Sequence, residues 1–176
     1  MRQRVNIRLE IEPNIDALSW FCRDIWPGIR ERAPDASFTI VGYNPTPDVE
    51  RLASAPGITL RPNVEDLRVT ACEHALVVLP MVSGGGIKNK LLEAAAMSRA
   101  IVCTPRAAMD LRSSGTLPLE LVSSQQEWTE RVVMLWQESA RRAQLGRDAR
   151  AWVSEHYSWE TPARKALAAF ARGREQ

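Results

Sequence analysis

Three consecutive glycines, Gly84, Gly85 and Gly86, follow an apolar run at 75–79 (ALVVL) and precede a segment with helical periodicity that carries Lys88, Lys90 and Glu93. Glycine lets a backbone turn tightly and approach a ligand, because no Cβ intervenes. The start of the following helix offers free N–H groups and about half a positive charge. Together they predict an anion site. At 3.6 residues per turn, Gly86, Lys90 and Glu93 share one helix face with Met97 below them. Ile87, Leu91, Ala94, Ala95 and Ser98 fall on a neighbouring face of small or aliphatic side chains, suited to close packing on a sheet. Glu93 lies roughly 10 Å along the axis from Gly86. That distance spans a diphosphate and a sugar, and a carboxylate accepts from both hydroxyls of a vicinal diol.

The same residues also suit a plain tight turn followed by a surface Lys90–Glu93 ion pair, so spacing alone leaves ligand binding open. Two familiar phosphate motifs do not fit. The glycines lack the Lys-Ser/Thr register of G-x-x-x-x-G-K-[ST], and Asn89 stands where G-x-G-x-x-G needs its third glycine.

Short apolar runs alternate with helical periods around this turn. Val5, Ile7, Leu9 and Ile11 alternate with polar residues as in a strand. Asn14 is a candidate cap for a helix over 15–32, with Leu18, Phe21, Ile25 and Ile29 on one face and Pro27-Gly28 distorting or ending its main part. Strands are expected at 37–41 and 57–60, with a short helix over 49–52 between them. A helix over 64–72 has Asp66 near its start. The run 75–79 holds no polar residue, as in the centre of a parallel sheet buried on both faces. A helix over 87–97, a strand at 100–103, a short helix over 107–111 and a strand at 119–122 follow. Ser123 and Ser124 offer caps for a helix through Trp128, Val132 and Leu135, and helices over 140–155 and on to about Phe170 complete the chain. Strands alternating with helices predict an α/β fold, a Rossmann-like, doubly wound parallel sheet with C-terminal helices. Such sheets bind ligands beyond the carboxyl ends of their strands, where the triple glycine falls.

The 176 residues suffice for one domain, and 45% hydrophobic with 25% charged residues is ordinary globular composition. A net charge of +2, without a basic run, gives no electrostatic case for nucleic acid or an anionic membrane. No stretch is long and apolar enough for a transmembrane segment, and the first residues lack a signal peptide's apolar centre. Cys22, Cys72 and Cys103 are far apart in apolar contexts, which predicts buried free thiols in a reducing cytoplasm. No metal is expected, since there is no Asp-x-Asp pair to hold one. His74 and His156 have no obvious catalytic partner. The six tryptophans are expected to be packing residues rather than sugar platforms.

The order of the motifs adds a resemblance. Leu79-Pro80, GGGIKNKLLEA over 84–94, Met97, Ala100-Ile101-Val102 and Thr104-Pro105 resemble the donor-site signature of retaining glycosyltransferases with the two-domain GT-B fold, in particular the bacterial group 1 (family 4-like) sugar transferases. PNIDAL over 13–18 with Trp20-Phe21, FTIVG over 38–42 and HYSWE over 156–160 resemble further landmarks of that family's C-terminal domain. The likeness covers about 5–170.

That resemblance implies one nucleotide-sugar-binding, Rossmann-like domain over 1–176, one half of a GT-B fold, with the N-terminal acceptor-binding domain absent. It implies a nucleoside-diphosphate sugar as donor substrate, no cofactor, and a cytoplasmic enzyme or one peripheral to the inner membrane. Glu93 matches the second Glu of the family's E-x7-E motif, which holds the ribose hydroxyls, and Gly85 stands where the first would be. Gly84, Gly85 and Gly86 then meet donor sugar or phosphate through their amides, with Lys88 and Lys90 as diphosphate partners. Arg61, Pro62, Asn63 and Val64 match the loop near the nucleobase. Pro62 and Ser98 replace usual glycines, and the first strand lacks a glycine near the phosphates. These departures motivate a second reading, a non-catalytic nucleotide-binding or interaction module that kept the fold and lost donor affinity.

Overall fold

The structure, a computed structural model, describes residues 12–84, 89–109, 111 and 116–157. The expected first strand, the closing helix and Trp159 lie outside the described residues, as do Gly85, Gly86 and Lys88. Helix α1 (Glu12–Trp20) runs through a π-helical turn, Phe21–Ile25, into α2 (Trp26–Arg32). The helix therefore starts before Asn14, which lies in its first turn rather than at its cap. Pro13 is tolerated there because the first N–H groups of a helix have no partner to lose. Pro27 likewise opens α2 after the π turn, so it does not end the helical run. Phe21, Ile25 and Ile29 are buried on the expected face.

Next come β1 (Phe38–Gly42), α3 (Pro47–Leu52), β2 (Ile58–Pro62), α4 (Leu67–Glu73) and β3 (Leu76–Leu79). Then follow α5 (Asn89–Ala96), β4 (Ala100–Cys103), α6 (Pro105–Ala108) and β5 (Glu120–Leu121). The long helices α7 (Gln125–Gln137) and α8 (Ser139–His156) end the described chain. Helix α4 starts later than expected, with the Asp66 carboxylate accepting from the Arg68 N–H at 3.0 Å, so Val64 belongs to the preceding loop. Ser124 and Glu127 cap α7 reciprocally, as the serines suggested.

All strand pairings are parallel. Among the described residues they form two pieces, β2-β1 and β3-β4-β5. The doubly wound expectation is met most clearly at β4. Ala100 and Val102 pack with Phe21, Trp128 and Val132 on one side, while Ile101 and Cys103 pack with Leu91, Ala107 and Trp152 on the other. All four are buried, as a strand between two helical layers must be. Of the all-apolar β3 only Leu79 is buried among the described residues, and the strand expected from residues 5–11 lies outside them. β1 and β3 line a common cavity of about 370 Å³, walled by Phe21, Phe38, Ile40 and Val78.

Ser98, standing where a helix-ending glycine was expected, adopts φ 56°, the left-handed conformation that glycine favours. Opposite it, Gly146 brings α8 so close that a Cβ there would lie 2.1 Å from the Ser98 carbonyl oxygen. Of the described tryptophans, Trp26, Trp128 and Trp152 are buried, and Trp20 and Trp136 pack against the core. Cys22 and Cys103 are buried as expected, but Cys72 is exposed on α4. A cysteine's apolar neighbours in sequence do not fix which helix face it takes.

Candidate functional site

The carboxyl end of β3 leads through Pro80–Ser83 to Gly84, whose φ of +89° few residues but glycine take without strain. The turn is also tight, because a Cβ on Gly84 would lie 3.3 Å from the Cβ of Pro13. Both ends of the loop are tied to the turn after β4. The Thr104 hydroxyl donates to the Met81 carbonyl at 2.6 Å, and Arg106 Nε donates to the Gly84 carbonyl at 2.9 Å. Thr104 also caps α6 by accepting from the Ala107 N–H at 3.2 Å.

Helix α5 then divides as its sequence proposed. Leu91, Ala94 and Ala95 are buried, while Lys90, Glu93 and Met97 line the cavity with Asn14. Lys90 is not paired with Glu93. Its Nζ donates to Asn14 Oδ1 at 2.6 Å, joining the first turn of α5 to the first turn of α1. Burial holds the Lys90 ammonium below its ordinary pKa.

Glu93 stands one turn further along α5. Its Oε2 is buried with no hydrogen-bond partner, and burial pushes its pKa up to about 7 although the nearby Arg68 guanidinium pulls the other way. A buried acceptor left unmatched costs roughly 1–3 kcal/mol, which a hydroxyl donor from a ligand would recover. An ammonium with its charge partly desolvated beside a carboxylate in want of donors can bind a phosphate at one end and a diol at the other.

The remaining expected residues lie around β2. Arg61 and Pro62 pair in register with Val41 and Gly42 at the strand end. Asn63 turns the chain with φ 56° and donates its N–H to the Gly42 carbonyl at 2.8 Å. Arg61 Nη1 meets Glu73 Oε2 at 2.6 Å; Glu73 and His74 line the same cavity. Burial first, and Arg61 second, hold the His74 pKa low. Arg61, Pro62 and Asn63 are exposed and Val64 half-buried; Arg68, on the helix that follows, is near enough to Glu93 for its charge to act on that carboxylate. Gly84, Lys90 and Glu93 are thus placed around one turn and one helix face, while Gly85, Gly86 and Lys88 lie outside the described residues.

Asn14, Arg68, Thr104 and Arg106 join the site without having been singled out for it. Thr104-Pro105 was visible as a motif, and Asn14 as a cap. Arg68 and Arg106 carried no local signal, because topology alone brings them to Glu93 and Gly84. Among the described residues no group of three or more His, Cys, Asp or Glu side chains could hold a metal ion, and no helix is long and apolar enough to cross a membrane.

Comparison with solved structures places this architecture among glycosyltransferases. The C-terminal domain of LpcC, a group 1 family glycosyl transferase from Francisella tularensis, is 18% identical with a TM-score of 0.63, covering 88% of this chain and 83% of that one. HepE from Anabaena, solved in complex with UDP and glucose, is 13% identical with a TM-score of 0.70, covering 94% of this chain and 46% of that one. TarM gives 17% identity and a TM-score of 0.70, covering 96% of this chain and 34% of that one. The chain thus spans less than half the length of HepE or TarM, and its fold is the Rossmann-like half of a GT-B architecture. A comparison with curated protein sequences found no match. The family model described as "Glycosyl transferases group 1" matches residues 8–138, most of the sequence, and the chain belongs to that family.

Proposed function

We propose that this chain is the nucleotide-sugar-binding half of a retaining glycosyltransferase that transfers a sugar from a nucleoside-diphosphate sugar to an acceptor. The observation that carries the reading is the pairing on α5. Lys90 is held by Asn14 rather than by a carboxylate, and Glu93, one turn on, keeps a buried oxygen unmatched. In this reading Glu93 accepts from the ribose hydroxyls. Gly84, Gly85 and Gly86 approach the phosphates by backbone, with Lys88 and Lys90 supplying positive charge. Arg61, Pro62, Asn63 and Val64 flank the base. Stabilising the departing diphosphate by fixed charges and N–H dipoles is the domain's contribution to catalysis, and no acid–base step is assigned to it. A separate N-terminal, acceptor-binding domain completes the cleft, so the single domain transfers nothing by itself. The setting that suits such an enzyme is the cytoplasmic side of a membrane.

HepE's bound UDP makes uridine nucleotides the first to test. Ligand-observed NMR titration with UDP, GDP, ADP and their sugars should show one base preferred, with binding weakened at least tenfold in Glu93→Ala. A folded protein that binds none, even with its acceptor domain supplied, would refute the proposal. The alternative module that has lost donor affinity draws on Pro62, which puts an exposed ring at the β2 end where the family carries glycine. It predicts that second result.

A further inference from the structure

We propose that Arg106 is a diphosphate-binding residue of this site, a role that rests on the nucleotide-sugar reading above. Arg106 is exposed on α6, a helix placed by Thr104 at the carboxyl end of β4. Its guanidinium is anchored at one corner, where Nε donates to the Gly84 carbonyl at 2.9 Å. Nη1 lies 3.8 Å from Met109 Sδ, a weak acceptor. Among the described residues no carboxylate comes within ion-pair distance of it. Among the described residues the remaining N–H donors are thus uncommitted, on a side chain anchored by the glycine turn.

Its position relative to Lys90 gives this a direction. Gly84 packs on Pro13, and the next residue, Asn14, accepts from Lys90 Nζ at 2.6 Å. Arg106 holds Gly84 and Lys90 holds Asn14, on either side of the Gly84–Pro13 contact, and among the described residues neither has an acidic partner. Two cations held on either side of one turn offer positive charge to an anion bound there. A diphosphate, with several charged oxygens along a short chain, matches two separated cations better than a single phosphate does. The guanidinium fork also binds phosphate oxygens in pairs. The competing account is that Arg106 only braces the loop through the Gly84 carbonyl.

The test compares a nucleoside diphosphate with its monophosphate on the full chain, by calorimetry or NMR, in wild type, Arg106→Ala and Arg106→Lys, with thermal melts to confirm folding. The ratio of the two affinities is the readout. Arg106→Ala is expected to weaken the diphosphate about tenfold and the monophosphate much less, with part of the ratio restored by Arg106→Lys. Equal weakening of both ligands would reduce Arg106 to a brace, and no change in either would remove it from the site; each overturns this inference while leaving the nucleotide-sugar reading intact. Failure of wild type to bind any nucleotide, even with the acceptor domain supplied, would overturn both together.

Discussion

In the proposed reading Glu93 concentrates the chemistry of this domain, because burial and ligand binding make opposite demands on it. Its pKa is raised to about 7 in the folded chain. Between the ordinary carboxylate value and about 7, the folded state holds more protons than the unfolded state, so stability must fall as pH rises through that window. The favourable contribution is complete at pH 4 and lost by pH 8. Glu93→Gln should therefore match wild type near pH 4 and exceed it at pH 8, by about 1 kcal/mol once solvent screening is allowed for. Denaturant titrations at the two pH values measure this, and equal stability at pH 8 would show that the carboxylate is not strained. The ionised form accepts from a diol best, so nucleotide affinity should rise with pH across the same window. Two thiols make a second residue-scale prediction. Burial pushes both Cys22 and Cys103 up to about 12. A thiol reagent at pH 7.5 should label exposed Cys72 quickly and the other two only on unfolding.

At the scale of elements, much of the architecture is written locally. The short apolar run FTIVG gives β1, Ser123 and Ser124 mark the start of α7, and the stripe Leu91, Ala94, Ala95 gives the buried face of α5. What was not legible depends on partners far along the chain. Asn14 reads as a cap but serves Lys90, 76 residues away. Burial of β4 on both faces depends on helices from later stretches of sequence, which its own four residues do not announce. Likewise, Arg106 is one arginine among many until the fold sets it on Gly84. The contact between α5 and α8 offers a direct check. Gly146→Ala drives a methyl into the Ser98 carbonyl and should cost about 1–3 kcal/mol or more. Ser98→Gly should instead stabilise by up to about 1 kcal/mol, because it relieves a left-handed serine. Thermal melts of the two variants should move in opposite directions, and a neutral Gly146→Ala would mean that α8 does not approach so closely.

For the molecule as a whole, the family and fold are those of group 1 glycosyl transferases. The proposed division of labour has this domain hold the nucleotide while another carries the acceptor. Val82 and Met109, both apolar and exposed, lie beside the same turn as Gly84 and Arg106. The most direct measurement is an amide-resolved NMR titration of the purified chain with UDP, GDP and ADP. The account predicts that one of them shifts the amides of Asn14, Gly84, Lys90, Glu93 and Arg106 together, with a common affinity, and leaves α7 and the outer face of α8 unmoved. Shifts centred elsewhere, or none with any nucleotide in the presence of the acceptor domain, would contradict it.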